Sequence, residues 1–324
     1  MKKFLVTGGS GFIGTNFVEA LLKDGLSVLN LDLSQPIKTE HSTCWKQVDI
    51  LDYSLLESEI LKFDPDIIVH FAAVTDLNGK TSEYYNANTR GTQNIINIAK
   101  KLTNLKKVIF TSSMYVCRPG YIPKSYDDFN PHTLYGESKV AGEKLVKAIR
   151  DPKFEWVIIR PTSIWGPWFG IPYIDFFNIV YRGRYFDFGR TCTKTYGFID
   201  NAVFQIRKLI SANNIHGKTF YIGDYPPIQI SEWANEISIE MGKGPIRTIP
   251  FFVMRFAAMT GDILSSFKLK FPITSFRLSN MTTNNVLPLE DLSAIAGPSP
   301  VSRLDGVKKT IAWLIDGKDY KIQR

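Results

Sequence analysis

Thr7-Gly8-Gly9-Ser10-Gly11-Phe12-Ile13-Gly14 stands between a short apolar run, Lys3–Thr7, and a stretch with helical spacing at 16–23. Few features constrain a chain more. A strand that breaks into closely spaced glycines and restarts as a helix forms a tight turn. Its backbone N–H groups can approach the diphosphate of a dinucleotide. Gly8 and Gly11 are expected to adopt positive φ and to leave room for that approach. Phe12 and Ile13 open the helix, whose N-terminus adds partial positive charge. Gly14 is expected to let the helix lie close to the sheet.

The rest of the chain repeats the alternation. Runs at 26–32, 67–72, 108–112 and 156–160 are rich in Ile, Val and Phe, and helical patterns fill 55–61, 88–101 and 136–149. The runs are continuously apolar, as strands buried on both faces are. Strands alternating with helices imply right-handed crossovers, so the expected fold is α/β, a Rossmann-like doubly wound parallel sheet. After Pro161 the texture shifts to Gly, Pro, aromatic and basic residues. A length of 324 residues allows a smaller companion. We expect a dinucleotide-binding domain over 1–165 with a returning segment near 196–224, and a smaller mixed C-terminal substrate domain over 166–324. Strand-like 219–223 and helical 230–241, 251–267 and 310–314 fall in that second half. In 251–267, Phe252, Phe256 and Met259 share one side, and the expectation is an ordinary packed helix rather than a membrane-surface one.

Asp32 ends the second run, 18 positions after Gly14. A carboxylate there can accept both adenosine ribose hydroxyls and repels a 2′-phosphate. No Arg or Lys follows within five positions, so NAD is preferred over NADP.

Tyr135 and Lys139 lie four apart at the start of the 136–149 helix, on one face. A phenol titrates near pH 10, too high for a base at neutral pH. A nearby lysine cation, joined by a positive nicotinamide ring, would favour the phenolate. Thr111, Ser112 and Ser113 sit where the fourth long run stops, and a serine hydroxyl there could hydrogen-bond the reacting oxygen.

Other chemistries find little support. Cys44, Cys117 and Cys192 are scattered and the four histidines dispersed, which argues against a zinc site or disulfide framework and for a reducing, cytoplasmic setting. No metal is expected. The net charge of +8 comes as isolated pairs rather than a stripe, so no nucleic-acid partner is expected. The longest uncharged stretches are too short for a membrane span, and the N-terminus reaches glycines too early for a signal peptide.

These landmarks, with VDILD at 48–52, HFAAVT at 70–75, NTRGTQNII at 88–96, FTSSMYV at 110–116, YGESK at 135–139 and RPTSIWGP at 160–167, resemble the extended short-chain dehydrogenase/reductase family, in particular its nucleotide-sugar epimerases and dehydratases. FID at 198–200, YIGD at 221–224 and PVSRLDGVKKTIAWL at 300–314 extend the resemblance over nearly the whole chain. It implies that Asp49 and Ile50 meet the adenine, and that Phe71, Ala72 and Ala73 line the cofactor. Ser113 would be the catalytic hydroxyl, Tyr135 the base and Lys139 its helper on the nicotinamide ribose. Pro161, Thr162 and Ser163 would approach the nicotinamide. Lys194 stands where the family usually has an arginine for the substrate diphosphate. A homodimer pairing the helices that start near Asn88 and Tyr135 is also implied. Met114 and Tyr115 replace the acids that dehydratases carry after the catalytic hydroxyl. Val116-Cys117-Arg118 replaces the usual V-Y-G, and Asp200-Asn201 the usual paired acids.

The leading expectation is an NAD-dependent epimerase of a nucleotide-linked sugar, working through a transient keto intermediate. A keto-sugar reductase or hydroxysteroid-type dehydrogenase of the same fold is the alternative. A non-enzymatic dinucleotide sensor comes third, since the tyrosine–lysine pair is complete.

Overall fold

The strands form where the sequence can be buried on both sides. β1 (Lys3–Thr7) is buried from Phe4 onward and β4 (Ile67–His70) throughout; β5 (Lys107–Thr111) and β6 (Glu155–Pro161) are buried along most of their length. A computed structural model describes residues 2–266 and 275–318. Among these, β2 (Ser27–Asp32), β3 (Trp45–Gln47) and β7 (Thr219–Ile222) complete a seven-stranded sheet of order β7-β6-β5-β4-β1-β2-β3. Every neighbouring pair runs parallel. The order reverses between β1 and β4, where Thr7 lies opposite His70. Chains leaving the two carboxyl ends there diverge and open a crevice.

The chain forms two compact units. The first comprises residues 1–164, 199–223 and 288–300. It holds the sheet with α1 (Phe12–Lys23), α2 (Tyr53–Phe63), α3 (Thr92–Ala99), α4 (Leu134–Lys147), α6 (Ile199–Ser211) and α10 (Glu290–Ala296). Its core joins β1, β2, β4, β5 and β6 to α2 and α3 through Leu5, Leu31, Ile68, Val108, Ile158, Leu56, Ile60, Ile95 and Ile98. β3 has three residues, with Lys46 and Gln47 exposed at the sheet edge, too few and too polar to show a periodicity. The pattern at 88–101 resolves into a π-helical turn, Ala87–Gly91, that runs into α3. A Cβ on Gly91 would come within 2.4 Å of Ile50.

The second unit comprises residues 165–198, 224–287 and 301–324. α5 (Tyr173–Tyr181), α7 (Ile230–Glu240), α8 (Phe251–Ser266), α9 (Ser275–Thr282) and α11 (Arg303–Lys318) belong to it. Trp165, Phe177, Phe198 and Trp233 are buried together, and Phe176 stacks on Trp233 with ring centroids 4.8 Å apart. Thr193–Lys194 pairs antiparallel with Ile228–Gln229. The helix expected at 251–267 forms, with Phe267 outside the described residues, and packs through one of its sides. Met254 and Ala258 are buried, while Phe252, Phe256 and Met259 face outward. Among the described residues no helix is long and apolar enough to cross a membrane.

Candidate active site

The glycine turn closes over the neighbouring strand ends. Gly8 has φ +73°, and a Cβ there would lie 2.5 Å from Ala72 N, so any side chain would push the turn off the β4 loop. Gly14 is as constrained, since its Cβ would meet Gly8 O at 2.2 Å. Gly11 departs from expectation. Its φ is −76°, ordinary extended backbone, and a Cβ there would meet only Gly8 O, at 3.4 Å. The protein's own packing does not require glycine at that position, whereas an approaching diphosphate would. Gly11 also brings α1 no side-chain cap. Together these features form a cradle that suits a dinucleotide diphosphate at a helix N-terminus.

Asp32 stands beside the cradle. Its Oδ2 accepts from Ser10 N and its Oδ1 from Ser34 N, both at 2.9 Å. Each carboxylate oxygen keeps a further lone pair for a ribose hydroxyl. Asn30 had not been singled out, yet it braces the same turn: Gly9 N donates to its Oδ1 at 3.0 Å and its Nδ2 donates to Ser10 Oγ at 3.2 Å. An asparagine inside the apolar strand SVLNLD was the available signal. Further along, Asp49 Oδ1 accepts from Leu51 N at 2.8 Å, and Asn94 Nδ2 donates to the carbonyl of the buried Ile50 at 2.8 Å. Phe71 packs edge-on against Phe17 of α1, and Ala72 N donates to Thr7 Oγ1 at 3.4 Å. Ala73 lies between Ala72 and Val74, whose N–H and carbonyl are both held by Asn88, at 2.8 and 3.0 Å. Asn88 also donates to Ser138 Oγ at 2.8 Å, tying the β4 loop to α4.

At the end of β5 the structure brings Ser113, Tyr135 and Lys139 together. Thr133 caps α4 by accepting from Gly136 N, and a Cβ on Gly136 would meet Tyr115 O at 2.3 Å, so the first turn of α4 is pressed onto the β5 loop. The Ser113 hydroxyl stands close enough to the Tyr135 phenol to favour its ionised form. Ser113 Oγ also accepts from Tyr115 N at 3.2 Å. The buried Oγ of Ser112 has no hydrogen-bond partner. Lys139 donates to Thr111 O at 3.0 Å and stands 5.9 Å from the centre of the Tyr135 ring. Pro161 ends β6, Thr162 bonds Ile222 O through both N and Oγ1, and Ser163 is buried.

Burial pushes the Tyr135 phenol up to about 12, and the nearby Ser113 hydroxyl offsets this only in part; Tyr115 and Tyr85, whose rings flank it, raise it further. Lys139 is itself held down to about 8 by burial, against the pull of Glu143. The lysine alone does not bring the phenol toward neutrality, because desolvation acts on both groups. His70, beneath the site, is pushed down to about 3 by burial and by the Lys139 cation. It bonds Thr7 Oγ1 at 2.6 Å and Thr92 Oγ1 at 3.3 Å. Since the Thr92 hydroxyl already donates to Asn88 O, His70 must carry its proton on Nε2 and accept from Thr7 on Nδ1.

Lys194 belongs to the second unit. Burial lowers its pKa from the ordinary lysine value. Among the described residues no group of three or more His, Cys, Asp or Glu could hold a metal ion.

A model of the NAD dependent epimerase/dehydratase family matches residues 4–175, the stretch that carries the turn, Asp32, Ser113, Tyr135 and Lys139. The chain belongs to this family. Members of the NAD dependent epimerase/dehydratase family are enzymes, and NAD is the cofactor that the cradle and Asp32 suit. Among curated relatives, a UDP-glucose 4-epimerase of Vibrio cholerae is 28% identical, aligned over 75% of this chain and 76% of its own. An Escherichia coli O157:H7 N-acetyl-alpha-D-glucosaminyl-diphospho-ditrans,octacis-undecaprenol 4-epimerase is 24% identical, over 95% of this chain and 94% of its own. The Bordetella bronchiseptica enzyme WbmG, solved with NAD and UDP, shares the fold: TM-score 0.73 and 20% identity, with 99% of this chain and 96% of that chain covered.

Proposed function

We propose that the protein is an NAD-dependent epimerase of a nucleotide-linked sugar. The observation that carries this reading is the grouping of Ser113, Tyr135 and Lys139 at the carboxyl edge of a sheet whose first turn is a diphosphate cradle. Tyr135 would take the proton of the sugar hydroxyl, and Ser113 would hydrogen-bond the same oxygen. Lys139 would hold the nicotinamide ribose and stabilise the phenolate. NAD, when bound, supplies a reversible hydride acceptor and a positive charge that favours that phenolate. The keto sugar would turn and be reduced on its other face, so no oxidant is consumed. Asp49 and Ile50 would meet the adenine; Phe71, Ala72, Ala73, Pro161, Thr162 and Ser163 would line the cofactor, and Lys194 would bind the substrate diphosphate. Uncharged Met114 and Tyr115 after Ser113 favour epimerisation over elimination.

A second carrier is favoured by one specific observation. The outward face of α8 is apolar, which suits a sugar borne on a lipid-linked diphosphate such as the one named for the Escherichia coli relative. We also propose a homodimer through α3 and α4 and a cytoplasmic location, which the three free cysteines support.

Incubation of purified protein and NAD with UDP-hexoses, followed by separation of the products, tests the reading. Altered stereochemistry without net nicotinamide reduction supports it. Net reduction would instead indicate a keto-sugar reductase or hydroxysteroid-type dehydrogenase, and silence with bound NAD a sensor.

A further inference from the structure

α8 carries two apolar faces, and within its unit one of them is covered. Met254 and Ala258 are buried with Phe188 and Leu278, with Phe186 and Ile249 at the margin. Phe252, Phe256, Met259 and Ile263 follow the spacing of a second stripe, one to three turns apart on a common face. They are 73%, 73%, 54% and 61% exposed. A surface helix of a globular protein normally turns polar residues outward. Here the outward stripe consists of two phenyl rings, a thioether and a branched alkyl chain, and exposed Val253 widens it.

The charges of α8 and of the segment just before it are one-sided in sequence. From Met241 to Ser266 the sequence carries Lys243, Arg247 and Arg255 against the single acid Asp262. All three cations are exposed. Asp262 Oδ1 accepts from Ser275 N at 3.0 Å where α9 begins. Apolar side chains long enough to enter the boundary between headgroups and acyl chains, bordered by cations, are what an in-plane interfacial helix presents. An anionic lipid surface meets both the apolar and the cationic parts.

We propose that the outward face of α8 docks the protein on an anionic bilayer surface. Phe252, Phe256, Met259 and Ile263 enter the interface, and Lys243, Arg247 and Arg255 meet lipid phosphates. This goes beyond the enzymatic reading and holds whichever carrier bears the sugar.

The test mixes the full chain with phosphatidylcholine vesicles, with and without a third of phosphatidylglycerol, and separates them by flotation. Wild type should float with the anionic vesicles and dissociate as salt rises. Phe252→Ser combined with Phe256→Ser should lower the partition coefficient about tenfold or more, from the loss of two buried rings. Arg255→Glu should weaken binding to the anionic vesicles alone. Should the double variant misfold, the emission of Phe256→Trp minus that of the wild type, whose six tryptophans form the background, reports instead, shifting to the blue on anionic vesicles. Wild type that stays unbound, binding that survives the double substitution, or a Phe256→Trp emission unmoved by vesicles would overturn the proposal. So would a lipid-free dimer that the double substitution dissociates, which would make the face a subunit interface.

Discussion

Arg160 at the end of β6 grips Glu143 of α4 with two hydrogen bonds, Nε to Oε1 at 2.7 Å and Nη2 to Oε2 at 2.8 Å, both side chains buried. Glu143 lies one helical turn beyond Lys139, so this fork fixes the helix that carries the candidate catalytic pair. Truncating one partner leaves a buried charge unpaired. Glu143→Ala is therefore expected to cost about 3–5 kcal/mol of stability, whereas Glu143→Leu with Arg160→Met should cost far less. Denaturant titration of the single and double variants decides it; equal losses would contradict the account.

Tyr135→Phe should lower turnover by ~10²-fold or more while leaving NAD affinity nearly unchanged, because the phenol acts on the reacting hydroxyl rather than on the cofactor. Ser113→Ala should be milder, and Ser112→Ala milder still, since Ser113 rather than Ser112 acts on the Tyr135 phenol. Steady-state rates with separate NAD titrations check the order. A more damaging Ser112→Ala would overturn the assignment of Ser113.

Asp32→Ala should weaken NAD more than NADP, since the ribose acceptor and the repulsion of a 2′-phosphate vanish together. The same substitution removes the partners of Ser10 N and Ser34 N, so affinity for both should fall. Calorimetric titration of each cofactor reads the ratio. Tighter NADP binding by the wild type would refute the role given to Asp32.

Acid should act through His70. Its folded pKa of about 3 lies below the ordinary 6.5, so between those values the unfolded chain binds a proton that the folded one does not. Stability is therefore complete above 6.5 and falls as pH drops toward 3. His70→Gln should flatten that slope in unfolding titrations across the range. A slope unchanged by the substitution would place the acid sensitivity elsewhere.

Lys194→Ala should raise the KM for a nucleotide-linked substrate with little effect on NAD. Lys194→Arg should be tolerated, because a guanidinium offers a diphosphate a planar fork. A KM untouched by Lys194→Ala would remove this residue from the substrate site.

The nucleotide half of the first unit was legible because its signals are local. Residues 7–14 encode a turn whose strain and crowding only glycine relieves at Gly8 and Gly14, and the buried parallel strands reveal themselves as unbroken apolar runs. Tyr135 and Lys139 were legible too, since four positions on a helix place two side chains on one face.

The tertiary structure decided what depends on partners distant in sequence. Asn30 and Asn88 read as ordinary polar residues until the fold sets them against Gly9 and Val74. β3 becomes a strand only because the edge of β2 accepts three residues. Periodicity placed Phe252, Phe256 and Met259 on one side of α8 but could not say which side the fold would bury. Spacing along a helix records relative direction, and the choice of face belongs to the elements packed against it. Tyr135 and Lys139 carry the same limit: sequence put them side by side, and burial in the folded unit set their proton affinities.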